Sequence, residues 1–241
     1  LRSIGAARPS RGEEIAAARN SLVVHTHAGY APLIEGADAR QWVKDDGLMM
    51  LFESEETFQH AAYALDLRRR HGVHMDILDG NEARQMEPAL SRKVVKAVSL
   101  PDVNRTIDPW RLCDSLAKDF VRRGGEIVSA EVKGFEIAGE GPTRIVTDRG
   151  PMDVEIVVLA AGVWSRPLAR QLGTSVPLEA ERGYHVMFPG QDFGLRRALV
   201  SADRNVSLAH MHEGIRATGV AEFAAADAPP DMRIADMIPG Q

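Results

Sequence analysis

The stretch from Val154 to Ser165 reads Val-Glu-Ile-Val-Val-Leu-Ala-Ala-Gly-Val-Trp-Ser, and no other stretch constrains the fold as much. Ile156, Val157, Val158 and Leu159 are apolar in succession rather than in alternation. A strand of that kind needs cover on both faces, which favours the interior of a parallel sheet. It runs into Ala160-Ala161-Gly162, three small residues that allow a close approach to the backbone. In open α/β sheets the carboxyl ends of the strands are where ligands bind. A tight strand-to-helix turn without a ligand fits the same letters.

At 241 residues the chain can hold one large domain or two smaller ones. A net charge of −5, with acids and bases intermixed, argues against a nucleic-acid partner. One cysteine, Cys113, excludes an internal disulfide framework and fits a reducing compartment. The expected location is therefore the cytoplasm, with a peripheral position at the inner membrane as the alternative. No apolar run approaches the roughly 18 residues of a membrane span, and no signal peptide opens the chain. It starts at Leu1 rather than Met, so it reads as a piece of something longer.

The segment from Leu1 to about Arg11 reads as a lead-in. A helical pattern follows over 13–34, weakened by Gly29 and Pro32. Gly47 to Phe52 reads as a strand, and Ser54 is an N-cap for a helix over 57–71 that closes at Gly72. Val73, Met75 and Ile77 alternate as one face of a half-buried strand. Asp79 with Glu82 signals a capping box. Asp108-Pro109 is a strong helix start, followed by an apolar stripe of Leu112, Leu116 and Phe120, with Cys113 read as a small core residue beside it. Gly124-Gly125 ends that helix, and 126–132 reads as a strand. A hairpin turning through Gly139-Glu140-Gly141-Pro142 leads to the buried strand. Beyond it Ser165 is an N-cap for a helix closing at Gly173. Four runs, 182–188, 198–200, 206–211 and 215–220, suggest an antiparallel sheet, and a short helix is expected over 232–237.

Taken together, Val157 to Ser165, Pro177-Leu178-Glu179-Ala180-Glu181-Arg182-Gly183-Tyr184-His185, Ile107-Asp108-Pro109, Gly125-Glu126-Ile127 and Ala217 to Phe223 resemble the D-amino-acid oxidase/dehydrogenase superfamily of flavoproteins. The resemblance is greatest to its bacterial D-amino-acid dehydrogenase branch. It implies an α/β (α+β) chain: a partial FAD-binding, Rossmann-like domain with a β-meander, and a substrate domain with a mixed or antiparallel sheet. The implied segments are 1–100 and 176–241 for the substrate domain and 101–175 for the cofactor domain. The family opens with a G-x-G-x-x-G turn that meets the cofactor pyrophosphate, and no such motif occurs here. The family's closing flavin segment and carboxylate-binding arginine are also missing, so the chain reads as a fragment.

By the same resemblance, Val132 contacts the adenine end of FAD, Ala160, Ala161 and Gly162 pass near the cofactor, and Trp164 packs beside it. Arg182 and Tyr184 lie near the flavin ring, where a Tyr hydroxyl could bond a substrate carboxylate. A solvated Arg and a core Tyr fit these positions equally well. His210 and His212 share a face of an expected strand, too few for a metal site. The implied reaction is oxidation of an amino acid, a D-amino acid in the main reading: hydride passes from the α-carbon to flavin, and the imine hydrolyses to a keto acid and ammonia. Electrons then pass to a quinone or to oxygen. The alternatives are an amine oxidase of the sarcosine or glycine type on the same fold, and a truncated, non-catalytic module that does not bind FAD.

Overall fold

The computed structural model describes residues 9–139 and 141–238. Most of the lead-in, Glu140 of the hairpin turn and Pro239-Gly240-Gln241 lie outside them. The chain forms two compact units. One holds the residues up to Gly124, Tyr184–Val220 and those from Met232 on; the other holds Gly125–Gly183 and Ala221–Asp231. These cuts differ from the segment boundaries expected after residues 100 and 175. The 109–122 helix goes with the first unit, and the chain crosses between units within two strands, at 183/184 and 220/221, as well as just after that helix and just before the last one.

The core of the first unit is a seven-stranded mixed sheet. Its strands in chain order are β2 (Leu48–Phe52), β3 (Asp76–Asp79), β4 (Lys96–Leu100), β9 (Glu181–Pro189), β10 (Ala198–Ser201), β11 (Val206–Met211) and β12 (Gly214–Phe223), arranged β3-β4-β2-β10-β11-β12-β9. The two-residue strands β1 (Val43–Lys44) and β5 (Arg105–Thr106) pair separately. β2 is an unbroken apolar run, Leu-Met-Met-Leu-Phe, and it is central because it can be. It lies antiparallel to β4, with Leu48 opposite Leu100, and parallel to β10, with Leu51 opposite Ser201. Met49 and Leu51 face one apolar cluster with Ala83, Leu90, Val94 and Leu199. Phe52 faces the other with Leu65, Val98 and Leu100, its ring edge-on to Phe58 at 5.2 Å. Because β10 runs parallel to β2, the sheet is mixed; the later strands pair antiparallel only among themselves.

Helices cover this sheet where local signals place them. The N-terminal pattern forms two helices, α1 (Pro9–Val23) and α2 (Thr26–Gly36). The break comes at Val24-His25, just after β-branched Val23, and α2 runs through Pro32. The helix expected over 57–71 is two, α3 (Glu55–His60) and α4 (Ala62–Arg70). Ser54 caps α3 by accepting from the Thr57 N–H at 3.0 Å. The capping box forms around α5 (Gly80–Met86): Asp79 accepts from the Asn81 and Glu82 N–H groups, and Glu82 accepts from the Asp79 N–H at 2.8 Å. Strand β3 begins only at Asp76. Val73 and Ile77 are exposed, and of the expected face Met75 alone packs inward, because an edge strand has a partner on one side only.

Two ionic clamps fasten distant segments of this unit. Glu53 pairs with Arg204 at 2.6 Å, while Asp203 accepts from the Glu53 N–H at 2.7 Å and the Thr57 hydroxyl at 2.6 Å. The Arg204 hydrogen bond holds the Glu53 carboxyl below its usual range. Burial pushes Asp203 up, but the Glu53 amide and Thr57 hydroxyl outweigh it and leave Asp203 lowered. Glu87 is fully buried and accepts from the Arg196 N–H at 3.0 Å, with Arg197 Nε 3.7 Å away. Burial dominates there and raises its pKa.

Helix α6 (Pro109–Arg122) starts as expected, with Asp108 accepting from the Arg111 N–H at 3.0 Å. Its buried face differs from the expected stripe. Leu112 and Leu116 are half-buried, while Phe120, Val121 and Cys113 are exposed. Asp119 is buried instead, paired with Arg122 and Arg123. Burial pushes the Asp119 carboxyl up, and the two guanidiniums more than reverse that. Cys113 is therefore not the core residue the stripe suggested.

The second unit is smaller. Strands β6 (Val132–Ala138), β7 (Gly141–Thr147) and β8 (Gly150–Asp153) form an antiparallel meander, as the turn signals predict. Residues 126–131 are not a strand, and neither is 154–161. Ile156 and Val158 are each 85% exposed, while Val157 and Leu159 are half-buried. The expected doubly buried parallel strand is thus overturned. A strand exists through its ladder, and past Val154, whose N–H donates to the Thr143 carbonyl of β7 at 2.9 Å, no described strand pairs with this segment. Helix α7 (Ser165–Gln171) follows, and Gly173 closes it at φ +75°. The short helix α8 (Met232–Asp236), in the first unit, forms as expected. Among the described residues no helix is long and apolar enough to cross a membrane.

Candidate functional site

In the second unit the expected cofactor residues occupy one continuous turn and one strand end. Ala160, Ala161 and Gly162 are exposed and lead through a 3₁₀ turn, Gly162–Trp164, into α7. Ser165 does not cap α7; its hydroxyl accepts from the Ala161 N–H at 3.0 Å and so braces the turn from behind. Gly162 takes φ +56°, and the space where a Cβ would stand is open. Its backbone therefore suits glycine and leaves room at its surface for another molecule. Trp164 is 66% exposed, so it is not a packing anchor of this unit. Val132 opens β6 opposite Thr147 and is exposed at the strand end.

A cavity of about 560 Å³ lies near this turn, lined by Val163, Arg166, Pro167, Leu178 and Phe223 among others. Arg166 is spent on the Leu178 carbonyl at 3.1 Å and Glu179 at 3.0 Å, so the cavity offers little beyond apolar surface. Against FAD the residues fit in part. The exposed small-residue turn leaves open backbone, but among the described residues no glycine turn opens a helix to hold a pyrophosphate. Gly139 lies in the β6–β7 turn and Gly141 opens β7.

Arg182 and Tyr184 are neighbours in sequence with different surroundings. Arg182 donates to Glu222 at 3.0 Å and to the Ala228 and Pro229 carbonyls at 2.6 and 3.2 Å. It pins the 222–229 segment. Tyr184 is 6% exposed and packs with Val186, Phe188, Ala217, Ala235 and Ile238. Its carbonyl accepts from the Thr218 hydroxyl at 2.9 Å.

On the opposite side of the same strands, the first unit has a second cavity, of about 390 Å³. Alternation along β9 turns His185 and Met187 into it while Tyr184 and Val186 face the core. Along β12, Ile215 and Ala217 face inward and Arg216 faces the cavity. The β11–β12 turn adds Met211, His212 and Glu213, and the start of α6 adds Asp108, Trp110 and Arg111. Gly214 makes the tight turn possible, at φ +133°, because a Cβ there would strike the Phe188 carbonyl. Arg105 holds the hairpin by donating to the His210 carbonyl while pairing with Asp46 at 2.6 Å. His212 lies just beyond β11, edge-on to Trp42 at 5.3 Å, and His210 does not line the cavity, so the two do not act together. Among the described residues no group of three His, Cys, Asp or Glu could hold a metal ion. A lone arginine in mid-strand carries no motif; only strand alternation, once the inward residues are known, points to Arg216.

The family described as DAO, FAD dependent oxidoreductase, matches residues 2–239 of the chain. The D-amino-acid oxidase of Bradyrhizobium diazoefficiens is 29% identical over 229 residues, 95% of this chain and 54% of that protein. The D-amino acid dehydrogenase of Rhizobium rhizogenes is 26% identical over 184 residues, 74% of this chain and 44% of that protein. The chain thus spans about half the length of the curated relatives it matches. The solved glycine oxidase of Bacillus cereus superimposes with a TM-score of 0.76 at 20% identity, over 98% of this chain and 63% of that one. The L-proline dehydrogenase of P. horikoshii superimposes with the same TM-score at 19% identity, over 90% and 60%.

Proposed function

Because the chain belongs to the FAD-dependent oxidoreductase family, whose match runs from residue 2 to residue 239, we propose that it is part of a flavoenzyme that oxidises the amine carbon of a D-amino acid. The observation that carries this reading is the D-amino-acid oxidase similarity over 95% of the chain. The geometry is compatible with it. The Ala160–Trp164 turn, with its open glycine, forms one side of the FAD site, and Val132 at the end of β6 lies toward the adenine. When bound, FAD supplies the two-electron acceptor. This chain's part is to orient: Ser165 fixes the turn, and Arg182 holds the 222–229 segment rather than the substrate. Tyr184 acts through the core that carries β9. The protein works in the cytoplasm or at the inner face of the membrane, passing electrons to a quinone or to oxygen.

Purified chain titrated with FAD tests the cofactor half of this reading. Flavin absorbance that co-purifies or titrates in is the expected result, and a colourless protein that ignores FAD favours the non-catalytic module. The longer protein encoded around this segment tests the reaction. D-alanine turnover, followed by oxygen uptake and by reduction of a quinone analogue, separates the two acceptors. Turnover of sarcosine or glycine in preference to D-amino acids would overturn the substrate class.

A further inference from the structure

Helix α2 turns one face toward a space that no side chain fills. His27, Tyr30, Ala31 and Ile34, at three- and four-residue spacing, share that face and line a further cavity of the first unit, of about 850 Å³. A surface helix ordinarily buries such a face. Here no residue of α2 is buried, and Tyr30 is 50% exposed. The helix is fastened at its two ends instead. Near its start His27 Nδ1 and Asn104 Nδ2 are hydrogen-bonded at 3.1 Å, and at its finish the Gly36 carbonyl accepts from Arg122 at 2.6 Å.

The lining decides what this groove accepts. Val23, Ala31 and Ile34 on the helical side, with Val43 of β1, Val103 of the turn before β5 and Leu112 of α6, make it largely aliphatic. Both guanidiniums in the lining are spent: Arg40 on Asp45, and Arg105 on Asp46 at 2.6 Å and on the His210 carbonyl. The acids are not. Among the described residues the Glu35 carboxylate has no ion pair or hydrogen bond. Asp102 has the His74 imidazole at 3.3 Å rather than a permanent cation. An anion entering the groove would meet acids with no spare guanidinium to offset them, whereas a cation would be attracted. The volume lies within the roughly 300–1,000 Å³ usual for small-molecule sites.

We propose that the groove under α2 binds a small apolar molecule with a single cationic head: the aliphatic walls take its hydrocarbon part, and the exposed carboxylates of Glu35 and Asp102 attract the head. None of the residues assigned above to the cofactor or to its surroundings lines this space. The site is therefore a second one, and it stands or falls apart from the flavin reading. A quaternary ammonium is the apt probe, because without an N–H it cannot become an imine and is no substrate for the proposed oxidation.

The test is displacement of Nile red, a neutral dye that brightens in apolar surroundings, from this chain. Decyltrimethylammonium, decanol and decanoate are the competitors, each kept below its micelle concentration. Saturable dye uptake is expected, with the ammonium displacing the dye about tenfold better than decanoate and decanol falling between them. Ala31→Trp fills the groove from an exposed position and should abolish dye uptake with the helical circular dichroism retained. Glu35→Gln combined with Asp102→Asn should bring the ammonium to within about twofold of decanol and leave decanol unchanged. If Ala31→Trp does not fold, the ammonium-against-decanol split in the acid variant decides. No saturable uptake, uptake unchanged in Ala31→Trp, or decanoate competing as well as the ammonium overturns the proposal. Uptake per chain that falls as the protein is concentrated assigns the face to a second copy, and uptake by this chain but not by the longer protein assigns it to the remainder of that protein; either result also overturns it. A chain that binds the ammonium yet stays colourless with FAD would sink the flavin reading and leave this one standing.

Discussion

Leu48–Phe52 and Ile156–Leu159 are the same kind of sequence, unbroken apolar runs that ask for cover on both faces. The first becomes the centre of a seven-stranded sheet, with β4 on one side, β10 on the other and apolar clusters above and below. The second stays irregular, with Ile156 and Val158 at 85% exposure. Their hydrophobicity does not explain the difference. β2 pairs with two strands, and Ile156–Leu159 pairs with none among the described residues. An apolar run states a requirement for burial; the neighbours decide whether it is met.

The contrast can be broken most sharply by truncation. Phe52→Ala should cost about 3–5 kcal/mol, because the ring is fully buried and a cavity would remain. Ile156→Ser should change stability by no more than about 0.5 kcal/mol, as expected of an exposed position. Urea unfolding of both variants checks this, and a large loss in Ile156→Ser would mean that the segment is covered after all. A smaller effect is expected at Glu87, which ties the segment after α5 to the one that leads into β10. Glu87→Ala leaves the Arg196 N–H without its acceptor, at a cost of about 1–3 kcal/mol, and Glu87→Gln should restore part of it. The same titration of denaturant midpoints reports it.

The smallest effects are those of pH, and they oppose one another. Glu53, Asp119 and Asp203 have lowered pKa values in the folded chain. Their stabilisation is present above the ordinary carboxylate range, about 4, and is lost as pH falls through their folded values. Glu87 is raised above its usual 4.5, so its contribution is full below that and declines as pH rises through its folded value. Thermal melts from pH 3 to 7 should show acid destabilisation that Glu87→Gln steepens, because that variant removes the opposing trend.

Much of the first unit was legible because its signals are local. Asp79 with Glu82, Ser54 and Asp108-Pro109 mark helix starts within three or four residues, and all three formed. The turn residues between 181 and 223 marked four strands correctly, although nothing local could say that β10 would run parallel to β2. The α6 stripe misled at Cys113 and Phe120 because burial followed Asp119, whose two arginines make an ionic contact that periodicity does not see. The small-residue turn at 160–162 was found by its letters. The cavity holding Arg216 was not, since it depends on which residues of β12 turn inward and on the placement of α6.

The parallel pairing of Leu48–Phe52 with Ala198–Ser201 spans about 150 positions of chain. During synthesis the left half of the sheet, β3, β4 and β2, can assemble early, but one edge of β2 must wait until residue 201 has left the ribosome. Met49 and Leu51 are partly uncovered for that interval. Slow translation upstream of Ala198 would lengthen it, and with it the time in which an unguarded strand edge can meet a second nascent chain.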